Sequence, residues 1–98
     1  MEVKGILSEC LSSQSGTSQT TGNPWRTDEW LIVIPGRYER KIKVEVRGVE
    51  RCEQWKQFFD GMPNKSQPVL VKIDIDARLY EGKYYNRVEA WDICLTQW

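Results

Sequence analysis

The 98-residue sequence has no histidine and no net charge, since fourteen Lys and Arg offset fourteen Asp and Glu. It has only three cysteines, Cys10, Cys52 and Cys94, far apart in the chain. An odd cysteine count suits no closed disulfide framework. Without histidine, most metal sites and most nucleophile–base pairs are excluded at the outset. A formal charge of zero excludes a histone-like or polybasic protein, which must neutralise many phosphates. No apolar run approaches the roughly 20 residues that span a bilayer. The opening Met1-Glu-Val-Lys-Gly5 lacks the basic and apolar regions of a secretory signal. A cytoplasmic chain with no membrane contact, no metal and no cofactor is the expectation.

What the sequence does have is a globular balance, with 40% apolar and 29% charged residues and five tryptophans. Its length suits a single domain over residues 1–98. Val3, Ile6, Leu7 and Leu11 mark a first strand over 2–13, with Gly5 at a position that favours a bend or bulge. The stretch from Ser12 to Pro24 is polar and nearly uncharged, which predicts a long flexible loop at about 14–24. A second strand runs from Trp25 to Ile34 and stops at Pro35-Gly36. In the third, Arg40–Arg47, Ile42, Val44 and Val46 alternate with Lys41, Lys43, Glu45 and Arg47.

The period then changes. Val49, Cys52, Trp55 and Phe59 recur at helical spacing, Glu50 and Glu53 open the segment, and Gly61 and Pro63 close it. A fourth strand, Pro68–Tyr80, alternates along its whole length. Glu81-Gly82-Lys83 turns the chain into a fifth strand, Tyr84–Leu95, whose pattern breaks at Ala90-Trp91 and predicts a bulge there. The order β-β-β-α-β-β is that of a five-stranded Greek-key barrel of OB type, all-β with one helix between strands three and four. Trp55, Phe58 and Phe59 form the helix face that would plug one end. Trp55 and Trp91 are expected in the core, and the cysteines as small buried hydrophobes.

Several words along the chain also carry a resemblance. These are Met1-Glu-Val-Lys-Gly5, Gln14-Ser-Gly-Thr-Ser18, Trp25 with Glu29-Trp-Leu31, Lys41 to Gly48, and Val71 to Tyr85 continuing to Ala90-Trp91. Together they resemble a small bacterial and phage family of OB-fold domains of unknown function, similar in pattern to single-stranded DNA-binding proteins. The resemblance covers essentially the whole chain. It implies an OB fold and a nucleic-acid cleft centred on strands two and three.

The charge total conceals a local imbalance. Residues 37–51 carry six basic side chains against three acidic ones. Lys41, Lys43 and Arg47 fall on the outer face of strand three, and Tyr80, Tyr84 and Tyr85 flank the last hairpin. Cations that track phosphates beside rings that stack on bases are what a single strand requires. Trp25 and Trp30 are further candidate platforms, and Arg26 and Arg78 further candidate cations. Asp74 and Asp76 share a strand face with Lys72 and Arg78, which predicts cross-strand ion pairing there instead of a cation site.

These features predict a non-enzymatic OB-fold binder of single-stranded nucleic acid. DNA is the expected strand, with RNA left open, and a homo-oligomer (dimer or tetramer) would lengthen the footprint. The alternative is an OB module that uses the same exposed strands to pair with a partner protein or with itself, without binding nucleic acid.

Overall fold

The computed structural model describes all 98 residues. Five strands, β1 (Glu2–Thr17), β2 (Pro24–Ile34), β3 (Arg40–Arg47), β4 (Val69–Tyr80) and β5 (Lys83–Leu95), surround one helix, α1 (Val49–Gly61), in the expected order. The strands close a barrel in the order β1-β2-β3-β5-β4, in which β3 and β5 run parallel at Glu45 and Glu89. All other pairings are antiparallel. The fold is the OB fold.

Alternation decides what is inside. Ile32, Val44, Val46, Val69 and Val71 are fully buried, and Trp30, Leu7, Ile73 and Ala90 complete the barrel interior. Cys52, Trp55 and Met62 close one end, with Phe58 and Phe59 packed partly buried beside them. β1 reaches two neighbours by changing partner, pairing with β4 over Glu2–Gly5 and with β2 from Ile6 onward. Gly5 permits this switch, because a Cβ there would lie 2.6 Å from the Val33 carbonyl oxygen. The bulges of β1 lie further on, where its register with β2 slips at Ser8 and at Leu11. Each slip adds a residue, so Leu7, Cys10 and Ser13 stand opposite the inward-facing Ile32, Trp30 and Asp28.

The predicted bulge in β5 is present. Lys72 pairs with Asp92 and Ile73 with Ala90, which leaves Trp91 as the extra residue. The bulge turns its ring outward, so Trp91 is 43% exposed and outside the expected core. Lys72 Nζ instead lies 5.4 Å from the centre of that ring. Cys52 is buried as expected, but Cys10 and Cys94 are exposed. Cys94 pairs with Leu70, which faces outward between the buried Val69 and Val71, and Cys10 lies where β1 has left β4 and pairs with β2 alone.

Two ribbons extend beyond the barrel. The loop expected over 14–24 narrows to residues 18–23, because Gln14–Thr17 pair with Pro24–Thr27. These polar residues form a strand through backbone pairing alone, which side-chain periodicity cannot reveal. In the second ribbon β4 continues past Ile73 with both faces exposed, paired with β5 through a turn at Glu81-Gly82. Both turn residues have positive φ, 49° and 79°, as a two-residue hairpin of type I′ requires.

Candidate nucleic-acid interface

Strand parity places the candidate side chains. On β2 and β3 the outward pairs are Thr27 with Arg47, Glu29 with Glu45, Leu31 with Lys43 and Val33 with Lys41. Trp25 has the same parity two residues before Thr27. It is 45% exposed, and its indole rests over Gly16, where a Cβ would meet the ring at 3.0 Å. On the β4–β5 ribbon the face continuous with the barrel exterior carries Asp76 opposite Arg87, Arg78 opposite Tyr85 and Tyr80 opposite Lys83. One outer surface therefore holds Trp25, the three β3 cations, Arg78, Tyr80 and Tyr85.

The charges on this surface are partly compensated. Lys43 Nζ lies 3.1 Å from Glu29 Oε2, and Arg47 Nε lies 4.0 Å from Glu45 Oε2. Glu29 is held below the usual carboxylate range, first by the Ser12 hydroxyl that donates to it and then by Lys43. Lys41 is exposed and has no ion-pair partner. Arg87, which the sequence reading passed over, donates from Nε to Glu45 Oε2 at 2.5 Å and ties β5 to β3 beside Arg47. Its signal was available, since it stands two residues from Tyr85 on the same face of β5.

Four expectations change. Trp30 is not a platform: it is 2% exposed, packed 5.3 Å from Phe59 and 6.2 Å from Trp55 between ring centres. Arg26 faces inward and is held by two carboxylates, Asp28 at 2.9 Å and Glu53 at 2.5 Å. Tyr84 is exposed but shares the opposite ribbon face with Leu79, away from Tyr80 and Tyr85. Asp74 and Asp76 form no ion pair with Lys72 or Arg78, for Asp76 accepts the N–H of Ala77 and Lys72 reaches Trp91. Arg78 is left exposed with no carboxylate partner.

Sequence reading missed Asp28. It is 1% exposed and accepts hydrogen bonds from Ser13 Oγ (2.6 Å) and Arg26 Nε (3.0 Å). Its inward parity with Trp30 and Ile32 was the available sign. Arg26 carries the connection on to Glu53 of α1, and its carbonyl accepts the N–H of Gly48. The β1–β2 ribbon that bears Trp25 is thereby fastened to the helix. Elsewhere the acidic and cysteine side chains form no group of three suited to a metal ion, and no helix is long and apolar enough to cross a membrane.

Comparison with known proteins gives a family and a fold. The family model for a domain of unknown function, DUF3127, matches residues 2–94. The chain belongs to the DUF3127 family. No curated protein matches it. Among solved structures, the DUF3127 chain is similar to the mitochondrial single-stranded DNA-binding protein Rim1 from S. cerevisiae. In one crystal form of Rim1 the TM-score is 0.63 at 20% identity, covering 99% of this chain and 94% of that one. A second form gives 0.59 at 19% identity, covering 99% and 92%. At this identity the likeness establishes the DUF3127 domain as an OB fold of the kind found in single-stranded DNA-binding proteins.

Proposed function

We propose that this domain binds single-stranded nucleic acid, DNA in the first instance, without catalysing a reaction. The observation that carries the reading is the shared parity of one surface. Trp25 on one ribbon and Tyr80 and Tyr85 on the other flank Lys41, Lys43 and Arg47 on β3. In an OB fold the face of strands two and three, bordered by these two hairpins, is where oligonucleotides lie. The likeness to Rim1, named as a single-stranded DNA-binding protein, supports the same reading.

Each residue then has a distinct task. The β3 cations take successive phosphates, and the exposed rings stack on bases at roughly 1–3 kcal/mol each. Because Glu29 compensates Lys43 and Glu45 is shared between Arg47 and Arg87, the electrostatic part of the affinity is modest, and Lys41, which has no carboxylate partner, contributes most. Replacing Trp25 and Tyr85 by alanine, singly and together, tests the stacking part. Affinity for a thymidine oligomer should fall about fivefold or more in each variant, in line with that stacking energy. Unchanged affinity in the double variant would refute the assignment of this face.

The same compensation favours a second reading, a protein-binding OB module. On that reading the paired outer face meets a protein, and no oligonucleotide binds at any salt concentration.

A further inference from the structure

The β4–β5 ribbon leaves one edge of β4 open. β1 covers β4 only from Val69 to Lys72, and the last backbone bond on that side runs from the Ile73 N–H to the Met1 carbonyl at 2.8 Å. In an antiparallel strand the N–H and C=O of alternate residues point to the same edge. Ile73 thus sets the parity: Ile75, Ala77 and Leu79 present their backbone groups to the open side. The Ala77 N–H agrees, since it has no partner on β5 and is taken by the carboxylate of Asp76 at 2.9 Å. No proline, glycine or lysine blunts the edge between Ile73 and Tyr80, and the charges it carries, Asp74, Asp76 and Arg78, are of both signs and so can be matched by a second strand. Ile75 and Leu79 are 52% and 62% exposed on one face.

We infer that this edge pairs with the same edge of a second copy, antiparallel about a twofold axis at Ala77. In that register Ile75 stands opposite Leu79 of the second copy and Ala77 opposite its own equivalent. All three are hydrogen-bonded pairs, which gives about six new backbone bonds. On the other face Asp76 stands opposite Arg78 of the second copy, twice by symmetry. These are the closely spaced, non-hydrogen-bonded positions where opposite charges interact best.

Neighbouring registers bring like charges together or lose the pairs. An axis at Asp76 also sets Asp74 against Arg78 but places Asp76 against its own copy, and an axis at Arg78 places Arg78 against its own. An axis at Ile75 sets Asp74 against Asp76, and an axis at Leu79 leaves Arg78 opposite Tyr80. The carboxylate of Asp76, which occupies the Ala77 N–H in the single chain, is released to Arg78 as the second strand takes that N–H. The unpaired Arg78 gains its carboxylate, and two ribbons become one four-stranded sheet. Because the pairing uses neither the β3 cations nor Trp25, it stands whether or not the domain binds nucleic acid.

Sedimentation velocity without nucleic acid, over about a hundredfold range of concentration, tests the pairing. The wild-type chain should pass from one to two chains per particle. Ala77→Pro removes an N–H that β5 does not use, so it should abolish the dimer while the circular dichroism of the barrel is retained. Asp76→Arg and Arg78→Asp should each weaken dimerisation at least tenfold, and the double exchange should restore it. In a Cys10→Ser, Cys94→Ser background, Ala77→Cys should oxidise to a disulfide-linked dimer. Leu79→Cys should not, because its two copies would lie about 14 Å apart. A chain that stays monomeric throughout, a dimer indifferent to Ala77→Pro, or a double exchange that does not restore pairing would each overturn the inference.

Discussion

Removing the carboxylate of Asp28 should loosen the β1–β2 ribbon and cost a large share of the stability of so small a domain. Asp28 is 1% exposed and takes three hydrogen bonds, from Ser13 Oγ at 2.6 Å and from Arg26 at 3.0 and 2.9 Å. Deleting one member of a buried ion pair typically costs about 3–5 kcal/mol, because the other charge is left without compensation. Arg26 still has Glu53, and its side chain is 17% exposed, so it recovers part of its solvation. A loss of about 2–4 kcal/mol for Asp28→Ala follows, against a total of about 5–15 kcal/mol for a typical domain. For a domain this size the melting temperature falls by roughly 4–8 °C per kcal/mol. Urea unfolding followed by far-UV circular dichroism and tryptophan fluorescence measures the loss. A cycle with Arg26→Ala separates the pair, and the double variant should be more stable than the summed single losses imply by about 1 kcal/mol or more. A loss below about 1 kcal/mol for Asp28→Ala, or strict additivity in the cycle, would refute the reasoning.

Two other perturbations follow from the packing. Gly5→Ala puts a Cβ 2.6 Å from the Val33 carbonyl oxygen and 2.9 Å from Ile32 Cγ2. The backbone must shift where β1 changes partner, and a loss of about 2–3 kcal/mol is expected in the same urea assay. Burial pushes the Cys52 thiol from its ordinary value near 9 up to about 11. The unfolded chain therefore ionises this group first, and the stability it confers is whole below pH 9 and lost as pH rises towards 11. Two units correspond to about 2–3 kcal/mol. Cys52→Ala should be less stable at neutral pH but should decline less steeply over that alkaline interval, whereas parallel curves would contradict the burial argument.

The barrel was legible because inward and outward residues alternate cleanly in β3 and in the first half of β4, and because the period changes at Val49. Turn chemistry at Pro35-Gly36 and Glu81-Gly82 supplied the boundaries. What escaped were features that side-chain patterns do not encode. Gln14–Thr17 extend β1 through backbone bonds among polar residues, so they read as loop. The slips at Ser8 and Leu11 rephase β1, which is why its apolar residues show no simple period. Trp91 was placed correctly at a bulge but given the wrong environment, since the extra residue of a bulge turns away from the alternation around it. Of the candidate surface, the β3 cations, Trp25, Tyr80 and Tyr85 share the expected face. Arg26 and Trp30 fall inside because Arg26, Asp28, Trp30 and Ile32 have one parity, a rule already present in the sequence. Tyr84 is separated from Tyr85 by the same rule.

The most direct test of single-strand binding is the salt dependence of tryptophan quenching by a thymidine oligomer of about 30 nucleotides, several site lengths for one OB fold. Three phosphate contacts on a single strand give a slope of log Kobs against log salt of at most about −2. Compensation of Lys43 by Glu29, and in part of Arg47 by the Glu45 it shares with Arg87, brings it to between about −1 and −2. Lys41→Gln should reduce the magnitude of the slope by about 0.7. Saturable quenching with that slope, and with that change in the variant, is the predicted result. No quenching and no shift of the oligomer in a gel at low salt would contradict nucleic-acid binding by this domain.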